Sequence, residues 1–317
     1  MTLIVCPKCG KKHNVNTARI PAGKTVVARC NACNHRFPIN LEQIQENSLQ
    51  ESADTPENSI EPKKENARKI SVSLSKGGVG KTTTSVNLSA GLALAGFKVL
   101  LVDTDTQGQS AYMLGIKPEA GLTELLTREL GPEEAVIQAR KNLWLLGGGK
   151  SLAGVKRIID RKSFGAEYTL TEALKGLENQ YDYIIIDTSP GWDQLTVNVL
   201  FYATEILVPV ALEIMPLHGM SEFMKSLGAI QKYRKEVALK YVLPTFMDTR
   251  VKNPQLIFER LKQLYRDYIC KPIRYNENFS EAPSFGKTIF EFAPGCSGAV
   301  DYRELVRRVA QNDSLLH

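Results

Sequence analysis

The sequence predicts a doubly wound α/β domain on a mostly parallel sheet, preceded by a small metal-binding ribbon. Three observations predict it. Short β-rich runs alternate with helical patterns over residues 68–317. Most of those runs are continuously apolar, as strands buried on both faces of a sheet must be. Four of the six cysteines crowd into the first 33 residues as two CxxC pairs, a pattern that in a reducing compartment points to metal more than to disulfide.

Taken in order, residues 1–40 are compact and basic, with seven Lys/Arg and no Asp/Glu. Cys6-x2-Cys9 is followed after 20 residues by Cys30-x2-Cys33, and four thiolates so spaced suit tetrahedral Zn²⁺. Each pair is expected on a tight knuckle. Between the pairs, Ile20–Gly23 reads as a turn and Thr25–Arg29 as a strand. A redox CxxC is the other reading, but no thioredoxin-like βαβ pattern surrounds either pair. Residues 41–67 are Glu/Asn/Ser-rich and nearly free of large apolar side chains. Such a stretch cannot bury enough surface to fold, so a flexible linker is expected.

The α/β region covers 68–317. Strands are expected at Ile70–Ser75, Lys98–Asp103, Leu143–Leu146, Tyr183–Asp187, Glu205–Val210 and Lys240–Leu243. Helices are expected at Thr82–Ala95, Leu217–Lys235 and Pro254–Tyr268. No run of about 18 apolar residues occurs, which excludes a transmembrane helix. The apolar stretch at the N-terminus is too short for a signal peptide, so a cytoplasmic protein is expected. The net charge of +6 is uneven. Residues 1–40 and 218–317 are basic, whereas 41–68 carry seven acidic and three basic residues. Both basic regions are candidates for a polyanion, or simply for solvent.

The chemistry is densest after the first strand of this region, where Lys76-Gly77-Gly78-Val79-Gly80-Lys81-Thr82-Thr83-Thr84 leads into a helix. Strand, Gly-rich turn and helix together form the context a P-loop requires. Backbone N–H groups wrap phosphates there, and the helix adds the positive end of its dipole. Lys81 is placed to reach the β- and γ-phosphates, and Thr82 to ligate Mg²⁺. One helix later, Asp103 and Asp105 end an apolar strand two residues apart and so point the same way. Beside phosphates they suit Mg²⁺ and a positioned water. Asp187 closes the strand Tyr183–Asp187 in Walker B fashion.

With these motifs the chain, from residue 69 to about 311, resembles the ParA/MinD group of deviant Walker ATPases, and most closely its ParA/Soj branch. Lys76-Gly77-Gly78-Val79-Gly80-Lys81-Thr82-Thr83-Thr84 carries the resemblance, as do the two Asp motifs and Ser280–Lys287, which is similar to a Soj-type SEAPSHGK segment. Val208–Met220 resembles the family stretch lining the nucleotide base. Six positions depart from the pattern: Ser75, Thr106, Ser189 and His218, and Tyr275 and Asn278, which stand where the family has arginines.

The resemblance implies a P-loop NTPase that dimerises around ATP and Mg²⁺. Lys76 reaches across to the partner's ATP, and Gly77 faces the partner closely. Asp105 serves hydrolysis, with Lys76 and Lys81. Lys76, Gly77, Gly78, Val79, Gly80, Lys81, Thr82 and Thr83 hold nucleotide; Thr82, Asp103 and Asp187 serve Mg²⁺. The resemblance also implies non-specific DNA binding by the ATP dimer, release through a ParB-like protein or cargo adaptor, and residence on the nucleoid away from membranes. Arg250 matches a family DNA contact; Lys252 and Arg274 are further candidates. Two rivals remain: a zinc-ribbon nucleic-acid-binding regulator with an ATP switch, and a metabolic P-loop enzyme akin to dethiobiotin or cobyrinic acid synthases, which lack a lysine at the Lys76 position.

Overall fold

The computed structural model describes residues 2–6, 8, 11–15, 26–39, 67–212, 216–248 and 252–311. The chain divides into two compact units, Met1–Lys63 and Lys64–His317. The expected linker, 41–67, lies outside the described residues except for Ala67, as do Cys9, Thr249 and Arg250.

In the first unit, two antiparallel hairpins are described. Strand β1 (Thr2–Val5) pairs with β2 (Lys12–Val15), and β3 (Val26–Arg29) pairs with β4 (Arg36–Ile39). The expected strand Thr25–Arg29 is β3. The two connecting turns repeat one bond: the Cys6 N–H donates to the Lys11 carbonyl at 3.0 Å, and the Cys30 N–H donates to the His35 carbonyl at 2.8 Å. Asn34 takes the left-handed backbone that closes the second turn, with φ 57°.

The second unit is built on β5 (Arg68–Val72), β6 (Val99–Asp103), β7 (Val136–Arg140), β8 (Leu143–Leu146), β9 (Tyr183–Asp187), β10 (Glu205–Ala211) and β11 (Ala238–Thr245). They form a sheet in the order β11-β10-β5-β9-β6-β8-β7, parallel except for the edge pair β7–β8. The longer helices are α1 (Lys81–Leu94), α2 (Leu152–Asp160), α3 (Gln194–Tyr202), α4 (Pro216–Ile230), α5 (Lys252–Tyr265) and α6 (Ser297–Ala310).

The continuous apolar runs have a direct cause: alternate residues of one strand feed two cores. Leu100 and Val102 of β6, with Ile184 and Ile186 of β9, join α2, α3 and α4 on one face. Val99 and Leu101, with Tyr183 and Ile185, join α1 and α6 on the other. Each such fully buried side chain contributes roughly 1.5–3 kcal/mol. Connections run one way from β5 and the other way to β10, which leaves a switch-point crevice at the carboxyl ends of the central strands.

Strand β5 begins two residues before the apolar run because charged residues there are partnered. Arg68 gives two bonds to Glu205, at 2.8 and 2.7 Å, one to the Tyr241 hydroxyl at 3.0 Å and one to the Val309 carbonyl at 2.8 Å. That network ties β5, β10, β11 and the last turn of α6. Arg68→Ala strands Glu205 in a largely buried place. It is expected to cost about 3 kcal/mol, read as a lower urea midpoint at unchanged slope; an unchanged midpoint would refute the assignment.

Candidate functional site

The P-loop leaves β5, and its two inner glycines carry the conformation that makes it a cradle. Gly78 and Gly80 have φ of 72° and 84°, a region costly for residues with a Cβ. Helix α1 starts at Lys81 directly behind Gly80, so its N-terminal N–H groups face the loop. Behind the loop, the Thr245 hydroxyl at the end of β11 donates to the Val79 carbonyl at 2.9 Å.

The two lysines of the loop sit in different settings. Lys81 is buried, and its Nζ donates to the Lys76 carbonyl at 2.7 Å, so its ammonium lies within the loop. Lys76 is half-buried. A Cβ built on Gly219, in the first turns of α4, would stand 4.0 Å from the Cβ of Lys76. Gly77 is exposed and neighbours Pro190. Burial lowers the pKa of Lys81, while the charges of Asp187 and Asp105 pull it back up.

Asp103 and Asp187 are Cα partners at the ends of adjacent parallel strands, and both are wholly buried. Burial raises the pKa of each. For Asp187 the charge of Asp103 raises it further, while the Thr82 and Ser85 hydroxyls and Lys81 oppose the shift. For Asp103 the N–H groups of Asp105 and Ser110 oppose it, at 2.9 and 3.1 Å. Two carboxylates paired on adjacent strands and so dry favour a cation nearby. With the Thr82 hydroxyl they fit a Mg²⁺ site by donor chemistry. Asp105 is buried, and its carboxylate accepts the Gln107 N–H at 3.0 Å, which fixes its direction.

The structure thus brings together Lys81, Thr82, Asp103, Asp105 and Asp187 around one loop, with Lys76 and Gly77 on its outer side. Sequence reasoning missed three contributors. The Ser85 hydroxyl donates to Asp187 Oδ1 at 3.0 Å, and Ser110 reaches Oδ2 at 3.4 Å. Gly148 packs against the Asp103–Asp105 turn so closely that a Cβ there would lie 2.6 Å from the Asp105 carbonyl. The run Gly147-Gly148-Gly149 after β8 was the available signal.

Of the three candidate DNA contacts, Arg250 lies outside the described residues, and Lys252 starts α5 with its side chain outside them. Arg274 is engaged: its guanidinium makes a forked pair with Asp301, at 2.8 and 3.0 Å. His218 falls in the first turn of α4, its side chain outside the described set.

In the ribbon, the Sγ atoms of Cys6, Cys30 and Cys33 lie within 4.8 Å of one another. Cys6 and Cys33 are 3.6 Å apart. Three converging thiols on two knuckles fit tetrahedral zinc with one further ligand, and Cys9 lies outside the described residues. No helix among the described residues is long and apolar enough to cross a membrane.

Comparison with known proteins agrees with this geometry. A family model described as an AAA domain matches residues 67–240, and a zinc-ribbon domain model matches residues 3–38. The sporulation initiation inhibitor protein Soj of Bacillus subtilis is 37% identical over 250 residues, covering 77% of this chain and 98% of that one. The chromosome partitioning protein ParA of Myxococcus xanthus is 32% identical, covering 78% and 89%. Among solved structures, cobyrinic acid a,c-diamide synthase of Mycobacterium smegmatis, with a bound ATP analogue and magnesium, aligns with a TM-score of 0.67 at 28% identity, covering 78% and 97%. The likeness to that enzyme is one of scaffold and phosphate site, whereas the higher identities fall to Soj and ParA. The chain belongs to the ParA/MinD family of ATPases, on its ParA/Soj side, and carries a zinc ribbon ahead of the ATPase domain.

Proposed function

We propose that the chain is a partition or positioning ATPase that closes into a homodimer on ATP and Mg²⁺, binds DNA without sequence preference in that state, and lets go after hydrolysis stimulated by a partner protein. The different settings of the two loop lysines carry this reading. Lys81 turns into its own loop, where it meets the β- and γ-phosphates. Lys76 stands beside α4 on a face shared with exposed Gly77, and from there it serves a second copy's nucleotide. Thr82, Asp103 and Asp187 hold Mg²⁺, Gly77–Thr83 hold the phosphates, and Asp105 orients the attacking water. The cobyrinic-type rival accounts for the scaffold and leaves Lys76 without a task.

In this reading residues 1–40 form the ribbon, 41–67 a tether and 68–317 the engine. The ribbon takes Zn²⁺ on Cys6, Cys9, Cys30 and Cys33, and the metal supplies the folding energy of a module with so small a core. Work on nucleoid DNA places the protein in the cytoplasm. DNA contact falls to Arg250 and Lys252, because Arg274 must first give up Asp301.

The test is DNA binding with ATP, with ADP and without nucleotide. Tight binding is expected with ATP alone. Arg250→Glu is expected to weaken it about equally on unrelated sequences and to reduce the salt slope by about one for each phosphate left without its counter-charge. Nucleotide-independent binding, or a weakening confined to one sequence, would favour the regulator reading instead.

A further inference from the structure

A histidine of the ribbon meets one of its cysteines. His13 lies on β2, opposite Ile4 of β1, and is half-buried. Its Nε2 stands 3.2 Å from the Sγ of Cys30, which directly follows β3 in the other hairpin. The thiol cluster comprises Cys6, Cys30 and Cys33, and His13 is not a member of that mutually close set. It meets one sulfur from the flank. The Ala32 N–H approaches the same sulfur at 3.4 Å.

We infer that His13 is a positioning residue of the metal centre: its Nε2–H donates to the Cys30 thiolate, joins the two hairpins and blunts the reactivity of that sulfur. The inference rests on the zinc reading proposed above. Zn²⁺ with four thiolates carries a charge of −2, and a thiolate's nucleophilicity follows the charge left on sulfur. A ring N–H drawing on Cys30 therefore makes it a poorer nucleophile, while the bond orients the sulfur and offsets part of the −2 charge. Interactions of this kind around a metal typically govern about 10–100-fold in affinity. The geometric need is also clear. Among the described residues the buried core of this unit is Cys6, Cys30 and Phe37, a small set to fix two hairpins without the cluster. Cys6–Cys33 and His13–Cys30 both bridge the hairpins, so each doubles as a clasp.

The experiment uses the full chain. Zinc per chain is measured first by mass spectrometry. Alkylation by iodoacetamide, in which a cysteine sulfur displaces iodide to form a thioether, is then followed at each cysteine by peptide mapping. Zinc release to a chelator is timed in parallel. Wild-type protein with one zinc is expected to react slowly at Cys30. His13→Ala is expected to keep the zinc, to raise the Cys30 rate about tenfold over that of Cys33, and to speed zinc release about tenfold. His13→Gln, which restores an N–H at similar reach, is expected to recover most of both. Equal acceleration at every ribbon cysteine, with no recovery by Gln, would mean that His13 only packs, and overturns the inference. So would an unchanged Cys30 rate in His13→Ala. Loss of zinc in His13→Ala with full zinc in Cys9→Ser would make His13 a ligand and overturn it in another way. Absence of zinc from wild-type protein would overturn the zinc reading itself.

Discussion

Lys81→Ala is expected to abolish ATP binding, and Lys76→Ala to leave binding intact while removing hydrolysis. The two residues are five positions apart, yet the loop turns one inward and leaves the other beside α4. In the proposed site Lys81 supplies the charge for the β- and γ-phosphates, so without it the polyanion has no main counter-charge in a buried setting. In the proposed dimer Lys76 acts on the phosphates of a second chain, so its removal is expected to spare binding to the single chain. Removing such a preorganised charge from a transition state costs on the order of 10²–10³-fold in rate. Fluorescent-nucleotide titration and phosphate release, run on both variants, read the two effects separately. Full turnover in Lys76→Ala would rule out the cross-subunit role and return the chain to the metabolic rival.

Asp105→Ala is expected to lower hydrolysis by roughly 10²–10⁴-fold, the range for loss of a group that handles the attacking water, while ATP stays bound. Asp105 does not share the buried pairing of Asp103 with Asp187. It is turned by the Gln107 N–H and backed by the N–H groups of Gly108 and Gly149 on its carbonyl. Removing its carboxylate therefore leaves the pair proposed for Mg²⁺ and the P-loop standing. The variant should accumulate as the ATP state and stay on DNA. Rapid filtration with labelled ATP checks this: retained nucleotide and little product are expected, and normal turnover would assign the water to another residue.

The part of the site that was readable in the sequence is the part whose chemistry is local. The P-loop is a contiguous string, Asp103 and Asp187 each close an apolar run, and Asp105 follows two residues after the first. The four strands that carry or flank the site were legible within two or three residues, because burial on two faces writes an unbroken apolar run. Strand β7 was not, since as the edge strand it is half-buried and its residues Val136–Arg140 mix both characters. The start of β5 was misplaced because Arg68 and Lys69 look like linker until Glu205 and Glu178 are found opposite them. Ser85 and Ser110 are ordinary residues in sequence; only the strand register brings Asp187 to them. The same holds for His13, a lone histidine that gains meaning from a cysteine 17 residues away across two hairpins. The forked bond of Arg274 to Asp301 was equally invisible, and it lowers the weight of Arg274 as a DNA contact.

The central claim is that ATP, and not ADP, assembles two chains through the Lys76 face. The most direct measurement is molar mass by light scattering after size exclusion, on Asp105→Ala with ATP and Mg²⁺, with ADP and Mg²⁺, and on the Lys76→Ala, Asp105→Ala double variant with ATP. The account predicts twice the 35.2 kDa chain mass in the first case alone and the single-chain mass in the other two. A single-chain mass in all three, or a dimer indifferent to nucleotide and to Lys76, would contradict it.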